Sequence, residues 1–395
     1  MKGLKTVADY FRRSDKLYWL LILTISAYSL LLLRTVPPDP SSGKNYFSTM
    51  VLAMAVGYFG AVILTLVDYR EIAAFWYIIA GFCLFLMLYT LKFGIAVQNT
   101  GGVNAKAWID LKVTTFQPSE LVKIGFMVTF AKHLSALEER GLLKSPLHVV
   151  LLACHALVPI ALVFLQNDDG AGVIFFCMFL CMAFAAGVQL RYFAVLFAAV
   201  GVAVPLAWKY DVFEYYQKQR ILVTYHLDDN PDIVRNYGYQ QWQGRTSIGS
   251  GGLWGRGLFQ SPRVNSRMVP EQESDYIFSV VGEQLGFVGC IALILLLLFL
   301  LWRTLYIARK SPDILGRTLC MGFFGMIASQ MLLNIGMCLD LLPVIGITLP
   351  FFSAGGSSAA CLYFGFGLVQ NVYLHRSDTD KVKLKRPLSG NAVRI

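Results

Sequence analysis

Residues 284–302 read QLGFVGCIALILLLLFLLW, a run without Asp, Glu, Lys or Arg. As a helix rising ~1.5 Å per residue, such a run is long enough to cross ~30 Å of hydrocarbon. Eight more windows lack all four residue types: 17–33, 45–67, 72–91, 145–167, 170–190, 192–208, 318–339 and 341–375. A tenth span is read at 119–134, SELVKIGFMVTFAKHL, with Glu120 and Lys123 near one end. Composition agrees. Of the 395 residues, 56% are hydrophobic and 15% charged, where a soluble domain carries about 25% charged. A soluble globule of this make-up would turn large apolar patches to water, and a disordered chain would lack the apolar surface seen here. Closed barrels, the other solution for a backbone in lipid, need alternating segments of roughly ten residues rather than long continuous runs. The expected fold class is therefore an all-α polytopic membrane protein. It has about ten transmembrane helices and one large extracytoplasmic loop, 209–275. Residues 1–376 are read as one transmembrane domain, followed by a basic tail, 377–395.

Lys and Arg favour cytoplasmic loops. With ten spans and the N-terminus inside, 20 of the 34 basic residues fall inside and 13 outside, and eight of those 13 sit in the 209–275 loop. Long loops largely escape the rule, so both termini are expected in the cytoplasm. The net charge of +10 is then a topology signal with weak attraction to anionic lipid, and no nucleic acid partner is called for. The first apolar run ends in Arg34-Thr35-Val36-Pro37-Pro38 without a small-residue cleavage site, so it is expected to stay as the first span. Trp19, Trp76, Trp208 and Trp302 suit interfacial belts. All eight Cys fall inside expected spans and the five His are scattered, so no metal site is expected.

A structureless loop of the length of 209–275 would be unusual. Within it, 211–226 reads as an interfacial amphipathic helix. The run Gly249-Ser250-Gly251-Gly252 is expected to interrupt regular helix and to permit close backbone approach, to a ligand or to another segment.

Charges in lipid cost about 2.5–3.5 kcal/mol on insertion scales. Glu120 and Lys123, at i,i+3, meet on one helix face. They either neutralise each other and hold the bundle together or line a polar cavity. Asp168 and Asp169 in QNDDG read as a turn and an N-cap. Asp340 is expected at the outer interface. Asp275, in PEQESDYIFSVVGEQLGF, is either a cap at the positive end of a helix or a functional acid. Glu271 and Glu273 crowd it, which raises at least one carboxylate pKa, and Glu283 lies two turns on, on roughly the same face. In 334–358, NIGMCLDLLPVIGITLPFFSAGGSS, Pro343, Gly346 and Pro350 break the helix. Ser353, Ser357 and Ser358 are then caps or one wall of a site.

Six stretches in this order resemble the SEDS family of bacterial shape, elongation, division and sporulation proteins: NAKAWIDL (104–111), FQPSELVK (116–123), QNDDG (166–170), IGSGGLWGRGL (248–258), PEQESDYIFSVVGEQLG (270–286) and the 334–358 segment. The short tails and the 270–286 version are more similar to the RodA, elongation, branch than to the FtsW, division, branch. The resemblance implies a peptidoglycan glycosyltransferase that polymerises lipid II into a nascent glycan strand on the outer leaflet. Its implied partner is a class B penicillin-binding protein, a transpeptidase. It also implies that Asp275 is the essential acid, that Glu120 and Lys123 are the family's Glu/Lys pair, and that Asp168 and Trp108 match the acidic turn and the outer-loop Trp. Glu273, Ser274, Gln284, Asp340 and Ala354 depart from the usual pattern.

In that chemistry an acceptor hydroxyl attacks the anomeric carbon of a lipid pyrophosphate, so a carboxylate base must take its proton. Glycosidases also protonate a poor leaving group, whereas pyrophosphate needs only positive charge. Lys123, Arg220, Arg245 or a divalent cation (Mg or Mn) are the candidates. The competing functions are a lipid-linked precursor flippase or transporter and a non-catalytic scaffold for cell-wall enzymes. The topology has a direct check. A membrane-impermeant thiol reagent added outside cells should label Gln240→Cys and spare Asp380→Cys. Labelling of both from one side contradicts it.

Overall fold

The computed structural model describes residue 10 and residues 12–38, 43, 45–98, 104–110, 115–226 and 238–376. The tail at 377–395 lies outside the described residues. Among the described residues, eight helices are long and apolar enough to cross a membrane: α1 (Lys16–Thr35), α2 (Tyr46–Leu66), α4 (Trp76–Phe93), α6 (Pro146–Leu165), α7 (Asp169–Ala186), α8 (Leu190–Lys209), α12 (Ile277–Lys310) and α13 (Ile314–Cys338). Two more polar helices complete the bundle, α5 (Pro118–Glu139) and α14 (Gly356–Leu374). At ~1.5 Å per residue each reaches roughly 28–33 Å. Both are largely buried by protein, so their polar residues face partners rather than lipid.

Side-chain caps start several helices. Asp15 accepts from Tyr18 N, Asn45 from Phe47 and Ser48 N, and Asp313 from Gly316 N, which satisfies amides that have no intrahelical partner. Pro118 and Pro146 occupy the first turn of their helices, where a missing N–H costs nothing. α2 packs closely on α14: a Cβ on Gly367 would lie 2.7 Å from Ala61 Cα. Small residues of this kind let membrane helices approach where no hydrophobic drive exists.

Several expectations are corrected. The 72–91 window is divided at Phe75 into α3 (Tyr69–Ala74) and α4. The break expected at Pro343, Gly346 and Pro350 is present: the 341–375 window is a helix only from Gly356, with 341–355 in irregular turns. α12 spans 34 residues but breaks at Gly286 (φ 65°, ψ −161°). A three-stranded antiparallel sheet was not expected: β1 (Ile95–Gln98), β2 (Asn104–Asp110) and β3 (Thr115–Phe116) in the order β1-β2-β3, between α4 and α5. Trp19 is no simple belt residue, since its ring packs on Tyr58 and Phe366.

In its described residues the 209–275 loop is structured. It holds α9 (Tyr215–His226), α10 (Tyr239–Gly251) and α11 (Pro262–Asn265). The helix α10 runs through Gly249 and Gly251, against the expected interruption, and ends at Gly252 with φ 57°. Packing overrides propensity here: a Cβ on Gly251 would lie 1.9 Å from the Gly282 carbonyl oxygen. The glycine therefore serves close approach to another segment, the start of α12.

The ends of the molecule follow from α1. At its start, Asp15 pairs with Arg303 near the end of α12 (2.7 Å). At its end, Thr35 hydrogen-bonds Gln284 near the start of α12 (2.8 Å). Arg13 reaches the Leu374 carbonyl at the end of α14. Residues 13 and 374 thus share one end, and the turn carrying Asp275 lies at the other. Gly251→Ala should lower the stability of the purified protein by roughly 1–3 kcal/mol, because the methyl group meets backbone that cannot move aside cheaply. An unchanged thermal unfolding midpoint contradicts the packing.

Candidate active site

The site is built on residues 271–276, a tight turn ahead of α12. The Glu271 carbonyl accepts from Ser274 N and Tyr276 N, both at 3.1 Å, and Glu271 takes φ 52° to allow it. The irregular stretch after α13 pins this turn. Ser353 Oγ donates to the Ser274 carbonyl (2.5 Å) and accepts from Leu349 N (2.7 Å). Ala354 N donates to the Glu273 carbonyl (2.7 Å). Asn334 Nδ2 donates to the Asp275 carbonyl (2.7 Å) and the Ile347 carbonyl (2.6 Å). Ser353 is thus a brace for the turn.

Glu273 is buried and held by both carboxylate oxygens on Arg267 Nη2 (2.8 and 2.7 Å). Glu271 is exposed and accepts from the Ser274 hydroxyl at 3.1 Å. Asp275 differs from both. Among the described residues its carboxylate accepts no hydrogen bond. It does not cap α12, whose N-cap is Tyr276 with no side-chain bond. The side chain stays partly accessible, yet protein surrounds it. Removal from water pushes its pKa up to about 7; Glu271, Glu273 and Asp168 add to the rise and Arg220 opposes it. Burial disfavours the charged form of an acid, and like charges do the same.

A second cluster forms at the starts of α5 and α7. Lys123 Nζ lies 2.9 Å from Glu120 Oε1, with Lys123 fully buried. Asp168 caps α7, accepting from Ala171 N (3.1 Å), and also accepts from Gln117 Nε2 (2.9 Å) and Ser119 Oγ (3.4 Å). Burial raises the Asp168 pKa, and the Ala171 amide and the Lys123 charge oppose that rise. Ser357 accepts from Gln117 N (3.2 Å), so it joins this cluster. The two clusters touch through the same irregular stretch: a Cβ on Gly170 would meet the Ile345 carbonyl at 2.8 Å, and one on Gly346 would meet Asp275 Oδ2 at 3.6 Å.

The basic candidates separate. Gln217 Nε2 donates to Asp169 Oδ2 (2.8 Å), docking α9 at the start of α7. Arg220, three residues on, shares that helix face, and its charge acts on Asp275. Arg245 instead sits 3.3 Å from Asp340 Oδ2, and Asp340 holds φ 58°, a conformation that suits glycine. Lys123 belongs to Glu120. Trp108 lies on β2 opposite Ile95, partly buried, and makes no polar contact with either carboxylate cluster among the described residues. Glu283 is turned to the outer loop, accepting from Arg263 N at 2.9 Å. His133 and His155, scattered in sequence, meet at 3.1 Å between their Nδ1 atoms. Among the described residues no three His, Cys, Asp or Glu side chains gather to hold a metal ion.

The chain matches the model of the FtsW, RodA and SpoVE cell cycle proteins over residues 14–378. It is 31% identical over 304 residues to the peptidoglycan glycosyltransferase MrdB of Escherichia coli K12, covering 76% of this chain and 80% of that one. It is 30% identical over 368 residues to stage V sporulation protein E of Bacillus subtilis, covering 89% and 94%. Among solved structures, it resembles a chain of a peptidoglycan synthase complex in which polymerisation and crosslinking are coordinated, with TM-score 0.78 and 29% identity over 92% of this chain and 98% of that one. It also resembles the rod shape determining protein RodA of Thermus thermophilus, with TM-score 0.66 and 26% identity over 92% and 98%. Fold, motifs and extent of match agree: the chain belongs to the FtsW/RodA/SpoVE family of membrane-embedded cell cycle proteins.

Proposed function

We propose that this chain is a peptidoglycan glycosyltransferase that polymerises lipid II at the outer face of the cytoplasmic membrane, with Asp275 as general base. The observation that carries this is the Asp275 carboxylate: partly accessible, without a hydrogen-bond donor among the described residues, and with its pKa at about 7. A base works best when its pKa lies near the working pH. Asp275 takes the proton of the acceptor hydroxyl. The hydroxyl oxygen bonds the anomeric carbon of the donor, and the bond from that carbon to the pyrophosphate oxygen breaks. The lipid pyrophosphate leaves with the electron pair, and one displacement inverts the α-linked donor to a β-glycoside. Arg220 offsets the negative charge on the departing oxygens.

A divalent cation, Mg or Mn, is a further proposal for that counter-charge. With no three-ligand cluster among the described residues, it would arrive with the pyrophosphate, and chelation during polymerisation tests it. The Lys/Arg distribution supports placing both termini in the cytoplasm and Asp275 outside. We assign the chain to cell-wall elongation, supported by its similarity to MrdB and RodA. The likeness to a chain of a synthase complex supports a class B penicillin-binding protein as partner. A transporter needs charged groups near the midplane. Here Glu120, Lys123, Asp168 and Asp275 gather at one end of their helices, which disfavours transport.

Asp275→Asn should lower the polymerisation of purified lipid II by about 10²–10⁴ while the protein folds normally. A rate above about a tenth of wild type contradicts the assignment. The active base is the ionised form, so the wild-type rate should rise with pH and level off above about 7. A profile flat from pH 5 to 8 contradicts it. For the buried pair, Lys123→Met leaves Glu120 uncompensated, which costs roughly 3–5 kcal/mol. Folded yield of Lys123→Met should therefore fall below that of Glu120→Gln combined with Lys123→Met. Equal yields of the two contradict a structural pair.

A further inference from the structure

We propose that Leu253 and Trp254 anchor the 209–275 loop in the membrane interface, between lipid headgroups and acyl chains, at the end of the molecule that carries Asp275. The anchor is built on the break in α12. In a continuous helix the amides of Phe287 and Val288 donate to the carbonyls of Glu283 and Gln284. The break at Gly286 (φ 65°) turns both amides and both carbonyls to the loop instead. Phe287 N donates to the Gly252 carbonyl (2.9 Å) and Val288 N to the Leu253 carbonyl (3.2 Å). Arg256 N and Gly257 N donate to the carbonyls of Glu283 (2.8 Å) and Gln284 (3.0 Å). Gly255 admits this approach, since a Cβ there would lie 2.2 Å from the Gln284 carbonyl oxygen. Irregular backbone at a membrane border needs its polar groups satisfied, and these bonds meet that need by completing the ladder of α12.

Leu253 and Trp254 project from this clamp, 65% and 78% exposed. Beside them α12 carries an exposed apolar stripe of Phe287, Ile291, Leu295, Leu298 and Trp302. Their spacing of three and four puts them on one face. That face lies in the charge-free window 284–302 and meets lipid. The loop is bonded to the first residues of the stripe, so Leu253 and Trp254 continue its lipid-facing surface beyond Phe287. From Phe287 to Trp302 the helix rises roughly 22 Å. With Trp302 at one border, Trp254 comes close to the other border of a hydrocarbon layer ~30 Å thick. Indole rings favour both borders, where the apolar ring is sheltered and its N–H stays wet. Seating the pair there removes apolar surface from water. Through the clamp it also holds the start of α12, and with it the Asp275 turn, at the membrane border. The anchor does not rest on the reaction assigned to Asp275.

The test uses the full chain, purified and reconstituted in phosphatidylcholine liposomes. The difference in emission between wild type and Trp254→Phe isolates the Trp254 indole. It should be blue-shifted from the emission of tryptophan in water. Lipids brominated near the top of the acyl chain should remove about half of it or more, and lipids brominated near the terminal methyl should remove less. Hydroxyl-radical footprinting of the wild type in the same liposomes needs no variant to fold. Trp254 should be oxidised about tenfold more slowly than in a free peptide spanning 249–258. Water-like emission that neither brominated lipid quenches overturns the proposal, as does oxidation at the rate of the free peptide. Quenching that appears only when the chain is diluted with excess lipid would show a second copy on this face and overturn the lipid assignment.

Discussion

Irregular backbone at membrane depth survives only where protein or water satisfies its hydrogen bonds, and the end of this molecule that carries Asp275 is arranged around that constraint. Residues 339–355 cannot continue the helix, because Pro343 and Pro350 remove donors and Gly346 takes φ 65°. The stretch finds its partners on the turn that carries Asp275. Asn334 binds the Asp275 and Ile347 carbonyls together, Ser353 binds Leu349 to Ser274, and Ala354 binds Glu273. Each partner satisfies the other, so the break in the helix and the position of the acid are one structural event.

Those bonds use backbone atoms and leave the Asp275 carboxylate without a donor. Other charged side chains of this end are engaged elsewhere: Glu273 with Arg267, Arg245 with Asp340, Lys123 with Glu120. A desolvated carboxylate facing other acids holds its proton up to about pH 7, and Arg220 keeps that value from rising further. Ionising Asp275 works against folding. Above its ordinary pKa the unfolded chain gives up the proton first, so the penalty grows as pH rises toward 7 and vanishes below about 4. A group held in the molecule at that disadvantage fits a role in chemistry better than one in stability.

Much of this was legible in the sequence. Charge-free windows located the apolar spans because hydrocarbon excludes charge wherever the chain crosses it. The Pro and Gly residues of 334–358 announced the break, and Glu271, Glu273 and Asp275 announced a raised pKa. Long-range pairing was not legible. Nothing local tells Arg245, which meets Asp340, from Arg220, which acts on Asp275. Local sequence does not decide whether Ser353 and Ser357 are caps or wall, and both hold backbone amides. The α10 helix through Gly249 and Gly251 contradicts local propensity because only the partner segment explains it. The 95–116 sheet was missed although its alternating residues around Gly101-Gly102 carry a hairpin signal. Its polar side chains simply counted as a gap between spans.

The central claim is that the fold holds Asp275 as a desolvated, uncapped acid. Infrared difference spectra of wild type minus Asp275→Asn isolate its carboxyl stretch and titrate it in the folded protein. The protonated band should persist through pH 5 and disappear with a midpoint near 7. A midpoint near 4, the ordinary value for an aspartate, would contradict the account.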